Sequence, residues 1–228
     1  MLTHFIERLI SSSSVDDIRQ NFCDAMQDYG FEHTLYAARF LALPATVMQE
    51  DTEIFSNYPR DFVEALQTRR PINGTGISGW SLQNSGSIAL HELVAIHSTD
   101  PLAEMLVTHH LQAGRLISLK DRVLRSHGAV MINPFSKATP EDTESRWSKA
   151  HHEIGVLSWV MHMRMATILR RRANTHLTSR QREVLEWSSA GKTVAEIATI
   201  LGVTPATIEK HLRLARDSLG AGNTAQAI

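Results

Sequence analysis

The C-terminal segment of the chain, residues 177–228, carries the pattern that most constrains its fold. Three pairs of polar residues in it have the spacing of a capping box, in which two side chains three residues apart satisfy backbone amides at a helix start. The pairs are Thr178 with Gln181, Thr193 with Glu196, and Asn223 with Gln226. One such match is weak evidence, but each pair opens a segment of helical apolar periodicity, so together they predict three helix starts.

A tight break at Gly202-Val203, followed by Thr204-Pro205, predicts a further helix start between the second and third pairs. The sequence therefore predicts four short helices, at about 179–190, 194–201, 205–219 and from 224. The middle two are joined by a short turn that contains glycine, as in a helix-turn-helix. In that motif the second helix enters the major groove of DNA with its N-terminal part.

The second helix of this pair has an apolar and a polar face. The residues expected to face the core are Ile208, Leu212, Ala215 and Leu219. On the outer face, Arg213 can donate twice to guanine, Glu209 can accept from cytosine, and Thr207 can reach a base or a phosphate. Ala206 is small enough to let the backbone approach the groove. The residues expected at phosphates are Lys192, Thr193, Thr204 and Lys210.

These helices resemble the DNA-binding domain of the LuxR family. The matching residues are Leu177–Leu185, Gly191-Lys192-Thr193, Glu196-Ile197-Ala198, Leu201–Thr204, Thr207–Leu212 and Asn223-Thr224-Ala225. The resemblance implies that Glu209 and Arg213 lie at base-reading positions. It also implies that Lys192 and Thr193 lie near phosphate, and that the fourth helix pairs two domains. Because the segment holds six basic residues against five acidic ones, a single copy should bind weakly, and a homodimer on double-stranded DNA is expected.

The preceding residues predict a different architecture. The expected elements are a helix at Val15–Tyr29, strands at Phe31–Leu41 and Glu53–Ser56, a short helix at about Arg60–Thr68, a long loop at Arg69–Gly86, a helix from Asp100 to Ala113, strands at Leu116–Leu119 and Ala129–Ile132 around a turn at Ser126–Gly128, and a long helix from Thr139 towards Arg172. This order predicts an α/β sandwich over 1–170, with a central, mainly antiparallel sheet flanked by helices. A linker is expected over 171–176, before an all-α four-helix helix-turn-helix domain over 177–228.

Composition restricts the cellular setting. The chain has one cysteine, Cys23, which fits a reducing compartment and excludes an internal disulfide and a cysteine-rich zinc site. No signal peptide is expected, and no stretch approaches the roughly 20 apolar residues needed to span a bilayer. These features predict a cytoplasmic protein with no membrane segment.

The order of elements in the first 170 residues resembles the autoinducer-binding domain of quorum-sensing LuxR proteins, which bind N-acyl homoserine lactones. The match includes Tyr29-Gly30-Phe31 before the first strand, Tyr58-Pro59 before the short helix, and Gly114 after the later helix. The resemblance implies a small lipophilic effector, an N-acyl homoserine lactone, and no other cofactor.

The residues that hold the lactone in that family are replaced in this sequence. The tryptophan position of the short helix holds Phe62, and the tyrosine position holds Leu66, which has no hydroxyl. No Asp lies between Phe62 and the only Asp-Pro, Asp100-Pro101, which is expected to begin a later helix. The missing carboxylate would accept a hydrogen bond from the ligand amide, worth roughly 1.5–3 kcal/mol. Either the lactone is held by Trp80, His91 or Tyr36, or the signal is another molecule, or no signal is needed.

The predicted function is sequence-specific, DNA-binding transcription regulation in response to an N-acyl homoserine lactone. The candidate ligand-binding residues are Tyr36, Tyr58, Phe62, Leu66, Trp80 and Met131. The alternative is a ligand-independent or differently liganded regulator whose first domain only dimerises or binds a protein partner. A small-molecule enzyme is a remote alternative, because it rests on a literal G-x-G-x-x-G at Gly74–Gly79 and on histidine pairs. The glycine segment is better interpreted as a flexible lid, and no catalytic or metal-binding residues are predicted.

Overall fold

The computed structural model describes residues 1–40, 52–69, 76–120, 122–123, 126–174, 177–219 and 221–228, without the side chains of 170–174. The described chain divides into two compact units, Met1–Ile168 and Leu169–Ile228. Within the described residues, no helix combines the length and the apolar character needed to cross a membrane.

The first unit alternates helices and short strands, and its last helix continues past the division between the units. Its elements are α1 (Leu2–Ser11), α2 (Val15–Asp28), β1 (His33–Arg39), β2 (Glu53–Ser56), α3 (Arg60–Arg69), α4 (Gly76–Gln83), β3 (Gly86–Ala89), α5 (Leu90–Ile96), α6 (Pro101–Thr108), β4 (Arg115–Ser118), β5 (His127–Asn133) and α7 (Pro140–Asn174). Residues 171–174, part of the predicted linker, therefore belong to helix α7.

The strands form one antiparallel sheet in the order β2-β1-β5-β4-β3, which confirms the predicted α/β sandwich with an antiparallel sheet. Successive side chains of a strand point to opposite faces of the sheet. On one face, Leu35 of β1 is opposite Met131 of β5, which is opposite Leu116 of β4. This face packs against α3–α6 in an apolar core. On the other face Tyr36 stacks on Phe55, and the rings of α2 and α7 pack beside them.

The prediction of a long loop at Arg69–Gly86 is wrong for the part of this segment that the structure describes. Gly76–Gln83 forms α4, and β3 begins at Gly86. The residues GISGWS have little helical signature, and the N-terminus of α4 is held from elsewhere, because the amide of Ile77 donates to the carboxylate of Asp100 at 3.1 Å. Because Ile77 is fully buried, α4 is part of the core, and the glycine lid prediction is wrong here; Gly74 and Thr75 lie outside the described residues.

Other bounds differ from the sequence-based expectations. Helix α6 ends at Thr108 rather than Ala113, and α1 and α5 had no prediction. The turn expected at Ser126–Gly128 is wrong, because β5 begins at His127 and pairs from there with β1. His127 pairs with Arg39 of β1 and so extends β5. The periodicity of β5 alone does not reveal this pairing.

The second unit contains the four predicted helices, α8 (Ser179–Ser189), α9 (Val194–Leu201), α10 (Pro205–Leu219) and α11 (Thr224–Ala227). The capping boxes at Thr178 and Thr193 form in both directions, whereas Asn223 only accepts from the amide of Gln226. Gly202 ends α9 with φ +65°, a left-handed conformation that glycine adopts without steric cost. The helices enclose a core made of Leu177, Val184, Leu185, Ile197, Ala198, Ile208, Leu212 and Ala215.

Candidate ligand cavity and DNA-binding surface

A cavity of about 100 Å³ lies in the first unit between the sheet and the helices α4 and α6. Its wall combines the face of the sheet that carries Leu35 with one side of each of the two helices. The residues that line it are Leu35, Ala37, Ala38, Arg39, Thr52, Ile77, Ser78, Ser81, Leu82, Leu102, Leu116, His127, Gly128, Ala129 and Met131. Most of this lining is apolar, so the cavity suits a hydrocarbon chain better than a sugar or a nucleotide.

The cavity changes character along the β1–β5 ladder. On the cavity face, three cross-strand pairs follow one another: Leu35 with Met131, Ala37 with Ala129, and Arg39 with His127. The last pair lies four residues further along the strand than the first, which is about 13 Å at the usual rise. The cavity is therefore apolar at the Leu35 end and basic at the Arg39 end.

The predicted ligand-binding residues are only partly brought together. Met131 lines the cavity. The remaining residues on that side of the sheet, which pack in the adjoining core without lining the cavity, are Tyr58, Phe62, Leu66 and Trp80. Tyr36 lies on the opposite face of the sheet. The assignment of these six residues to ligand binding stays a prediction.

The predicted DNA-contacting residues share a surface of the second unit. Ala206, Glu209, Lys210 and Arg213 border one groove beside α10, together with Arg216 and Thr224. The exposed residues among those predicted to contact DNA are Lys192, Thr193, Thr204, Ala206, Glu209, Lys210 and Arg213, while Thr207 is half-buried. The buried face of α10 carries Ile208, Leu212 and Ala215, as the periodicity predicts.

Several of these side chains have intramolecular partners. Arg213 pairs with Asp217 at 3.7 Å, and Lys192 pairs with Glu196 at 3.7 Å. Such exposed pairs contribute little to stability, so both cations can exchange their carboxylate for a base or a phosphate. Thr193 and Glu196 are joined by reciprocal hydrogen bonds. The amide and the hydroxyl of Thr193 donate to the Glu196 carboxylate and, with the nearby Lys192, lower the pKa of the Glu196 carboxyl. This threonine therefore fixes the start of α9 even without DNA.

Comparison with known proteins identifies the family. The family model described as "Autoinducer binding domain" matches residues 14–165, and the model "Bacterial regulatory proteins, luxR family" matches residues 175–228. The chain belongs to the luxR family of bacterial regulatory proteins. It is a DNA-binding transcription regulator with an autoinducer-binding domain, as the sequence predicts.

Individual relatives agree with this assignment. The transcriptional activator protein AnoR of Acinetobacter nosocomialis is 31% identical over 212 residues, covering 87% of this chain and 82% of AnoR. The transcriptional repressor ThaA of Burkholderia thailandensis is 27% identical over 229 residues, covering 98% and 92%. Escherichia coli SdiA has the same fold, with a TM-score of 0.67, 18% identity, and coverage of 99% of this chain and 92% of SdiA. A second SdiA structure, in complex with octanoyl-rac-glycerol, has a TM-score of 0.66, 19% identity, and coverage of 99% and 90%.

This luxR-family regulator also contains a buried hydrogen-bonded relay that sequence reasoning missed. The hydroxyl of Tyr36 lies 2.8 Å from Nδ1 of His162, and Oγ of Ser126 lies 2.9 Å from Nε2. Because the Ser126 hydroxyl donates to the carbonyl of Val123, His162 must donate through Nε2 and accept through Nδ1. Burial, and then the nearby His127, lower the pKa of His162 from 6.5 to about 4, so the ring is neutral at pH 7. No local motif marks residues 126 positions apart as partners.

The Asp-Pro of this regulator lies closer to the cavity than its sequence position suggests. Asp100 caps α6 as predicted, accepting from the amide of Leu102 at 2.7 Å. Its second oxygen accepts from Ile77 at the start of α4. Since Ile77 and Leu102 both line the cavity, this carboxylate fixes two walls of it without itself belonging to the lining. Among the residues that the structure describes, no cluster of His, Cys, Asp and Glu is arranged to hold a metal ion.

Proposed function

We propose that this regulator binds an acyl-chain effector of the N-acyl homoserine lactone class in the cavity of its first unit. The observation that carries the proposal is an apolar cavity on the sheet face of a domain that matches the autoinducer-binding family. On this proposal the protein acts in the cytoplasm, where the effector changes its binding to double-stranded DNA.

The lining suits an acyl chain of modest length. Each methylene transferred from water to such a lining contributes about 0.8 kcal/mol. Pockets for drug-sized ligands measure roughly 300–1,000 Å³, so a volume near 100 Å³ accepts a long chain only if lining side chains move. Leu82, half-buried on α4, is placed to move outwards. We therefore expect affinity to rise with chain length and then fall.

A different head group is the second candidate. The chain has Phe62 and Leu66 in place of the aromatic pair that the family resemblance leads us to expect, and neither lines the cavity. The structure of SdiA with octanoyl-rac-glycerol pairs an octanoyl chain with a glycerol head in a related fold. This precedent supports an acyl chain as the common ligand element, with a head group that differs between members.

Homodimer formation is proposed to use α7. Three exposed apolar side chains, Val156, Trp159 and Met163, are 38–41% exposed and recur at helical spacing along one face. An apolar stripe on a helix that is otherwise polar on its outer side is typical of an interface. Trp159→Glu should shift the sedimentation coefficient of the full chain to that of a monomer and weaken DNA binding; an unchanged dimer would exclude this surface.

The ligand proposal is tested by thermal unfolding of protein purified from a host that makes no acyl lactone. Lactones of short to long acyl chain are titrated, and a ligand at a hundredfold excess over its Kd should add about 2.7 kcal/mol of stability. Ala129→Leu places extra volume in the cavity and should abolish the response. Ala65→Leu adds the same volume in the adjoining core outside the cavity, and it serves as the matched control. No response from the parent protein to any chain length would refute the lactone proposal.

A further inference from the structure

We propose that the preferred ligand of this cavity is an acyl chain that ends in a carboxylate, with its head bound at the Arg39–His127 end. The inference rests on the proposed function, because it names the head-group class for the same cavity. It reverses the direction of the ligand expected from the family resemblance, in which the head lies beside the short helix that carries Phe62.

The distribution of charge in the cavity favours an anionic head group at one end. Arg39 and His127 face each other across the β1–β5 ladder on the cavity side of the sheet. Among the described residues of the lining, none is acidic. Two basic side chains at one end of an apolar cavity match an amphiphile with an anionic head and a hydrocarbon tail.

Among the described residues of the sheet, those that line the opposite end of the cavity are apolar: Leu35, Leu116 and Met131. The hydroxyl of Tyr58 donates to Oδ1 of Asn133 at 2.6 Å, and the amide of Asn133 donates to the carbonyl of Leu111 at 2.8 Å. Tyr58 and Asn133 are both buried and satisfy each other. Neither residue lines the cavity, and the Tyr58 hydroxyl and the Asn133 amide each already have a protein partner, so neither is offered to a ligand at this end.

Solvation also favours an anionic head group at the Arg39–His127 end. His127 is exposed and Arg39 is half-buried, so this end of the cavity reaches the surface. A carboxylate bound there keeps part of its hydration, while the acyl tail is buried along Ala37 and Ala129 towards Met131. A guanidinium has five donors and binds a carboxylate in a bidentate manner, so Arg39 can take the head alongside its other contacts. A neutral lactone gains no such charge-assisted pair.

The test compares ligands that share a tail and differ in the head. Binding of N-octanoyl homoserine, N-octanoyl homoserine lactone, octanoate and methyl octanoate to the full chain is measured by calorimetry at low salt. We expect each acid to bind about tenfold or more tightly than its neutral counterpart, as a charge-assisted pair allows. Arg39→Gln should weaken the acids more than the neutral compounds and so remove that preference.

Two further variants control for folding and for general charge. His127→Gln changes an exposed side chain and should weaken the acids with little risk to the fold. Lys120→Gln removes a nearby positive charge that does not line the cavity and should leave the preference intact. Tighter binding of the lactone, or an acid preference that survives in both Arg39→Gln and His127→Gln, would overturn the inference while the proposed function stands. If no acyl compound binds the parent protein, the proposed function fails, and this inference fails with it.

Discussion

The buried His162 should destabilise the protein in mild acid by an amount that follows from its surroundings. Burial, and then the nearby His127, lower its pKa in the folded state from 6.5 to about 4. Between these values the unfolded chain binds a proton at this position and the folded chain does not, so stability falls as the pH drops through this window. The linkage relation gives a loss of about 2 kcal/mol between pH 7 and pH 5, and a limit of about 3 kcal/mol below pH 4.

His162→Gln isolates this contribution from the other groups that titrate in the same range. Glutamine keeps an N–H that can donate to Ser126, but it has no proton to gain. It loses the ring contact with Phe40, whose centroid lies 5.0 Å away, so the variant should be the less stable protein at pH 7. Urea unfolding at pH 7, 6 and 5 measures the free energy of unfolding of both proteins. The value for the variant minus the value for the parent should rise by about 2 kcal/mol as the pH falls from 7 to 5. His4→Gln, at an exposed histidine, is the control, and a difference for His162→Gln that stays constant with pH would refute a neutral, buried His162.

Four further substitutions test other parts of the structure. The hydroxyl of Ser158 is fully buried and has no hydrogen-bond partner among the described residues, so Ser158→Ala should raise stability by about 1 kcal/mol and increase Tm. A Cβ added at Gly128 would lie 3.0 Å from the ring of His162, so Gly128→Ala should lower stability by about 1–3 kcal/mol in urea unfolding. Arg213→Ala should relax preference at one base pair by about 1–3 kcal/mol in competition binding, and an equal loss on all sequences would contradict a base-reading role. Lys192→Ala should instead weaken binding to every sequence alike and flatten its salt dependence.

The second unit could be predicted from sequence because its signals are local. Thr178 and Thr193 each cap a helix through a partner three residues away, and Gly202 ends a helix by its own conformation. The apolar spacing of Ile208 and Leu212 then separates the buried face of α10 from its exposed face. Every one of these interactions is complete within about one helical turn, so no tertiary information is needed.

The first unit could be predicted only in outline. Alternating and helical periodicity located β1, α2 and α7, and with them the antiparallel sandwich. The direction of side chains relative to the cavity depends on strand register, which periodicity does not give. Tyr36 is one residue from Leu35 and Ala37, yet it faces α7 while they face the cavity. A register that no local signal fixes therefore decides which aromatic residues can touch a ligand.

Asp100 shows how the fold brings together residues that are far apart along the chain. Helices α3 and α6 are far apart in sequence, and an Asp-Pro at the start of α6 is too late to continue the short helix that holds Phe62. The fold nevertheless brings α6 to the start of α4, where the two oxygens of Asp100 accept from Ile77 and Leu102. A carboxylate shared by two helix starts is favoured by both helix dipoles, and here it joins two walls of the cavity. With this acid engaged in structure, our proposal assigns the polar recognition of a ligand to the end of the cavity where Arg39 faces His127.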